Sequence, residues 1–282
     1  MTPEAILARE RERALPVVIA AFASVAAFIL AIVVNQGGSL GAADTDAQFL
    51  ADFDDNSGSL LLTAIFQALG MVLLIAPLFY LFQAAAARSD TMRPALVGIT
   101  VAGPLFLAIG SLLQWYAFDQ AAADFTTPGG GLGVPVGEYA EDLIRDQAAF
   151  DAAQGFTFAG TLGLVVAIVY TSLHAMRTGL LTRFWGTLGM ALGVSLLFLG
   201  PIGVMAFIIA IGLLIAGRWP GGRPPAWESG TAVPWPKPGD EPPSEPQPAG
   251  ADGHPPEPAP ERLEPQAGPA PAPRKRKRRR GS

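Results

Sequence analysis

Apolar residues in this chain gather into long unbroken blocks, and the charged residues are confined between them. A helix needs ~20 apolar residues to cross a hydrocarbon core of ~30 Å, with ~17 as the practical minimum. Four blocks meet that length: Ala14–Val34, Leu60–Leu81, Ala95–Phe118 and Gly155–Met176. None contains Asp, Glu, Lys or Arg, and His174 sits near the end of the fourth. Pro77 and the Gly103-Pro104 pair predict kinks rather than breaks, because neighbouring helices can satisfy a carbonyl freed by proline. Behind Arg9, Arg11 and Arg13 the first block has the look of a secretory leader. It is longer than the apolar region of such leaders, which predicts an uncleaved anchor.

The last apolar stretch, Phe184 to Gly217, is 34 residues long. A single helix of that length would measure ~51 Å, far more than a bilayer is thick. Gly200-Pro201 lies at its centre and has the chemistry of a break. Two short helices are therefore expected, as a pair of minimal spans or as a re-entrant hairpin. In either case the chain leaves on the side from which it entered. The predicted fold is an all-α polytopic transmembrane bundle of six spans, at 14–34, 60–81, 95–118, 155–176, 184–199 and 201–217.

Lysine and arginine orient such a bundle, since cytoplasmic connections collect them. With the N-terminus of residues 1–13 inside, all but one of the 19 basic residues fall on the inner side. The exception is Arg145, in the second outer loop, 119–154. The first outer loop, 35–59, holds Asp44, Asp46, Asp52, Asp54 and Asp55 and no basic residue. The pattern predicts a cell-membrane protein with both termini cytoplasmic.

Each outer loop carries a further expectation. Phe49, Leu50 and Phe53 fall on one helical face, the pattern of a short interfacial helix. Tyr139, Leu143 and Phe150 recur at helical spacing between Glu138 and Asp151, with Glu141 placed to pair with Arg145. The run Asp52-Phe-Asp54-Asp55-Asn56-Ser57-Gly58 begins like a calcium loop. It then departs from one: Ser57 stands where glycine is needed, and position 12 is Thr63 instead of glutamate. The competing expectation is that Asn56 or Ser57 caps the second span.

Inside the spans, Gly186, Gly189, Gly193 and Gly200 lie within about 60° of one another on a helical wheel. Such a stripe admits a close neighbour, either within the hairpin or across a homodimer. Buried ionisable groups, the usual sign of a transport or proton path, are missing at membrane depth. The most plausible polar cluster is Gln67, Ser111 and Gln114, read as interhelical glue or as the lining of a path for a neutral molecule. With no cysteine and only two histidines, a thiolate or imidazole site has little to draw on, and no catalytic, metal or cofactor-binding residue is assigned.

From residue 218 the composition changes abruptly. Eighteen of the 26 prolines fall within residues 220–273, so 218–282 is expected to be a disordered tail. Trp219, Trp227 and Trp235 at its start suit a headgroup layer. Its end is a run of seven cations, Arg274, Lys275, Arg276, Lys277, Arg278, Arg279 and Arg280. That run fits anionic lipid, and equally RNA or an acidic protein partner.

The stretches Arg177-Thr-Gly-Leu-Leu-Thr-Arg-Phe-Trp-Gly-Thr-Leu-Gly189 and Gly217-Arg-Trp-Pro-Gly-Gly-Arg-Pro-Pro-Ala-Trp-Glu-Ser-Gly-Thr-Ala-Val-Pro-Trp-Pro236 resemble a group of uncharacterised multi-pass membrane proteins of high-GC Gram-positive bacteria. The resemblance implies a bacterial plasma membrane and supplies no activity. Three classes of function follow. The first is a non-enzymatic scaffold or accessory protein with a docking tail. The second is a transporter or channel for a neutral or apolar substrate, and the third, disfavoured, is a membrane enzyme.

Overall fold

The computed structural model describes residues 2–37, 45–126, 135–219 and 222–235. The described secondary structure is entirely helical: α1 Pro3–Gly37, α2 Asp46–Ala86, α3 Leu96–Thr126, α4 Val136–Arg145, α5 Ala148–Arg177, α6 Arg183–Leu199, α7 Ile202–Ile215 and the single turn α8 Ala226–Ser229. The protein is an all-α polytopic bundle in which four helices, α1, α2, α3 and α5, are long and apolar enough to cross a membrane. The other two apolar helices are short, 17 residues in α6 and 14 in α7. At 1.5 Å per residue they measure roughly 26 and 21 Å, against about 45–62 Å for the long helices.

The six apolar helices pack as a ring, α1 on α2, α2 on α3, α3 on α5, α5 on α6, α6 on α7, and α7 back on α1. α2 also reaches α5 and α7 across the ring. Leu74, Leu78, Leu81, Leu164, Ile168, Ile208 and Leu214 form the buried centre. Lipid tails are as apolar as leucine, so association inside a membrane depends on close packing and interhelical hydrogen bonds rather than on expelling water. Both are present. A side chain at Gly103 would place its Cβ 2.6 Å from the Leu164 nitrogen, and one at Gly160 would sit 2.7 Å from the Leu107 nitrogen, so α3 and α5 cross backbone to backbone. Between α1 and α2 the Ser24 hydroxyl donates to the Gly70 carbonyl at 2.8 Å.

The turn between α6 and α7 forms where the sequence predicted it. Gly200 adopts φ 62° and ψ −151°, a backbone state that a Cβ strongly disfavours, and Pro201 follows as the cap of α7. Gly200 therefore differs from the rest of its stripe. A Cβ there would meet nothing within 4 Å, whereas one at Gly186, Gly189 or Gly193 would collide with Met176, Ser172 or Ile168 of α5.

Several expectations are corrected. Residues 49–53 do not form a separate interfacial helix: α2 runs unbroken from Asp46, capped by Thr45, whose hydroxyl accepts from the Gln48 amide. Neither Asn56 nor Ser57 is its cap. The run from Asp52 to Gly58 is a poor helix former, but tertiary packing overrides that preference. Leu50, Phe53 and Leu60 are buried with Ala121 and Ala122 of α3 and Ala140 of α4, and the Trp115 indole donates to the Ser57 carbonyl at 3.1 Å. With Asp52, Asp54 and Asp55 on a continuous helix, the loop geometry of a calcium site is not formed. The helix expected over 138–151 is divided into α4 and the start of α5 by a turn at Asp146 and Gln147. The Glu141–Arg145 pair does form, at 2.5 Å and largely exposed. Lastly, the packed unit extends to Trp235, well past the boundary drawn at 217.

The α3–α5 crossing gives a direct test. Gly103→Leu should lower the unfolding free energy by about 1–3 kcal/mol through overpacking, measured by thermal or denaturant unfolding in mild detergent. Gly98→Leu on the same helix, where an added Cβ meets nothing within 4 Å, should leave stability unchanged.

Candidate functional site

Because α6 and α7 are short, the ring loses two members toward the end where α1 finishes, and a cavity of about 280 Å³ opens above their turn. Gly200, Pro201 and Leu196 line it from the hairpin, with Phe28, Ala31 and Ile32 from α1 and Met71 and Leu107 from α2 and α3. Its polar lining consists of Gln67, Ser111, Gln114, Thr157 and Thr161, drawn from α2, α3 and α5. The three residues that the sequence grouped, Gln67, Ser111 and Gln114, thus reach one cavity.

The hydrogen bonding of these groups bears on their role. Ser111 donates to the Ala108 carbonyl of its own helix at 2.9 Å and makes no bond to another helix. Among the described residues the side-chain amides of Gln67 and Gln114 have no hydrogen-bond partner, so their donors and acceptors are available to a guest. Among the described residues no charged side chain lines the cavity. Its chemistry suits hydroxyl, amide or carbonyl groups with an apolar remainder, and offers no counter-charge to an ion. Thr157 and Thr161 stand one turn apart on α5 and were not grouped with the others from sequence. Isolated hydroxyls in apolar helices usually bond back to their own backbone, and only their spacing of four distinguishes this pair.

The opposite end of the bundle carries a paired polar network. Arg88, its side chain fully buried, donates to both carboxylate oxygens of Glu10 on α1, at 2.5 and 3.0 Å. It also donates to the Ala84 carbonyl at 2.9 Å and to the Ala226 carbonyl at 3.1 Å, and its guanidinium lies over the Trp227 ring at 5.8 Å. Tyr80 stacks on the same Trp227 ring, 6.1 Å between centroids, and its hydroxyl donates to the Glu10 carbonyl at 3.1 Å. One arginine therefore binds α1, α2 and the segment that follows α7.

That segment, 222–235, packs against the turn between α5 and α6. The Trp227 and Trp235 indoles donate to the Leu180 and Leu181 carbonyls at 2.9 and 2.8 Å, and the Val233 amide donates to the Thr178 carbonyl at 3.1 Å. Gly179 at φ 79° ends α5 beneath it, and a Cβ there would lie 2.1 Å from the Val233 carbonyl oxygen, so both backbone and space demand glycine. Trp227 and Trp219 are buried against protein, which corrects the expectation that these tryptophans face headgroups.

His174 is also buried, against Tyr170, and its Nδ1 has no hydrogen-bond partner among the described residues. Among the described residues no group of three His, Asp or Glu side chains is placed to hold a metal. The basic run from Arg274 to Arg280 lies outside the described residues.

Removing the central cation should be costly. Arg88→Gln leaves a buried carboxylate and the Ala226 carbonyl without their donor, a loss of ~3–5 kcal/mol. Limited proteolysis should then cut within 222–235 while the wild type resists, and equal resistance would contradict the assignment. No family model matches the chain, and neither does any curated protein or solved structure. What stands is a membrane protein with several apolar helices, and the resemblance of residues 177–189 and 217–236 gains no support from these comparisons.

Proposed function

We propose that this multi-span membrane protein binds a small uncharged amphiphile in the cavity above the α6–α7 turn, as a transporter for a neutral substrate would. One observation carries the reading: five neutral polar side chains converge there, two of them amides with no partner among the described residues, on otherwise apolar walls. Structural glue is the weaker reading of Gln67, Ser111 and Gln114, because none of them bonds across to another helix. α6 and α7 act as a re-entrant hairpin in this reading, short members whose turn floors the cavity. The bias of lysine and arginine supports a cytoplasmic placement of the Glu10–Arg88 end, with the cavity toward the outer leaflet.

A scaffold role is the second reading. The anchored segment 222–235 favours it, since the chain leaves the bundle at a defined point, from which Arg274–Arg280 would meet anionic lipid, RNA or a protein partner. The glycines at 186, 189 and 193 are occupied by the chain's own α5 and α7, which favours a packing role over a homodimer face.

The cavity is tested with a photoreactive long-chain alcohol on purified protein in lipid vesicles. Crosslinks should map to α2, α3 and α5 around Gln67, Ser111 and Thr157, compete with decanol but not with decanoate, and fall in Ser111→Phe. Labelling confined to the outer, lipid-facing surface, or equal competition by the anion, would contradict the proposal.

A further inference from the structure

A second recess lies between α1 and α7 at the arginine-bearing end, independent of the cavity above the hairpin. It measures about 540 Å³ and is walled by Ala14, Leu15, Val18 and Phe22 of α1 and by Leu213, Ile215 and Ala216 at the end of α7. Its rim is formed by Arg218 and Arg223. We infer that this groove holds an anionic phospholipid, its phosphate between Arg218 and Arg223 and its upper acyl chain against α1 and α7.

The apolar walls face outward. Leu15 is 69% and Phe22 40% exposed, on a helix long and apolar enough to cross a membrane, so acyl chains are the medium they meet. From Leu15 to Phe22 the wall runs for ~10 Å along the helix. The cations stand at one end of it because of how α7 terminates. The Gly217 and Arg218 amides fold back onto the Leu214 and Leu213 carbonyls at 3.1 and 3.0 Å, which turns the chain and leaves Arg218 exposed beside the last turn. Arg223 returns over Gly217, and one of its terminal nitrogens donates to the Ile215 carbonyl. That bond orients the guanidinium and leaves further N–H groups for a phosphate, which a planar fork binds in bidentate fashion.

Among the described residues no carboxylate lines the groove. The adjoining cleft shares Ala14 and Arg223 with it and adds Arg11, Glu10 and Glu228, and the Glu10 carboxylate is already paired with Arg88. Among the described residues Arg218 and Arg11 make no ion pair or side-chain hydrogen bond. An apolar trough ended by unneutralised guanidinium groups matches a diacyl lipid with a net negative head. A zwitterionic lipid brings its own cation to the same place and gains less.

The test uses full-length protein, delipidated in nonionic detergent, with residues 274–280 changed to glutamine so that the terminal cations do not contribute. Phosphatidylglycerol and phosphatidylcholine are titrated and bound lipid is counted by native mass spectrometry. Phosphatidylglycerol should bind more tightly, and Arg218→Gln should weaken it about five-fold while leaving phosphatidylcholine unchanged. Arg218→Gln with Arg223→Gln should weaken it further, and Val18→Trp, which fills the trough, should lower the affinity for both lipids. Equal affinity for the two lipids, or phosphatidylglycerol binding unaffected by Arg218→Gln, overturns the proposal. Displacement of the lipid by equimolar inorganic phosphate would overturn it too, by marking a free-anion site.

Discussion

The unequal length of the helices governs this molecule. Four helices of 30 residues or more stand beside two of 17 and 14, and a ring built from such members cannot be filled equally at both ends. Gly200 and Pro201 set where the short pair turns, and so set the floor of the space above it. Chain left exposed within a bilayer has to satisfy its backbone internally. The hairpin does so with two helices and a minimal turn, which allows it to stop short while the long helices continue.

The two ends of the bundle then behave oppositely. At the arginine-bearing end, Glu10, Tyr80, Arg88, Trp227 and Trp235 pair their polar atoms with one another or with backbone carbonyls. A buried cation is tolerated there because each face of it has a partner, and the chain after α7 becomes part of the wall. Toward the other end the polar side chains of Gln67 and Gln114 face space instead of each other. The same composition of apolar helices with few charges thus produces one end whose polar side chains are paired and one where they are not.

The blocks of apolar residues, the break at Gly200-Pro201 and the grouping of Gln67, Ser111 and Gln114 were legible in the sequence, because each depends on periodicity or on a local conformational rule; that the three line a cavity was not. The pairing of Glu10 with Arg88 joins residues 78 apart and leaves no local trace. The same is true of the indoles: a tryptophan suits a headgroup layer and a carbonyl-lined protein pocket equally well, and only the position of Leu180 and Leu181 decides between them. The early start of α2 was hidden for a different reason. Its aspartates, asparagine and glycine argue against helix, and the aromatic cluster with α3 and α4 that overrules them is tertiary. In α3 and α5 the decisive glycines, Gly103 and Gly160, are spaced unremarkably within their own helices and become meaningful only where those helices cross.

Since the chain contains no cysteine, single cysteines report access without background. The most direct measurement compares Gln114→Cys, in the cavity, with Ala84→Cys, beside Arg88 at the opposite end, using a membrane-impermeant maleimide added to one side of oriented vesicles at a time. Gln114→Cys should react from the side of the α2–α3–α4 cluster and not from the other, and Ala84→Cys should react from neither. A Gln114→Cys that is inert from both sides, or that reacts equally from both, would contradict an open cavity above a closed base.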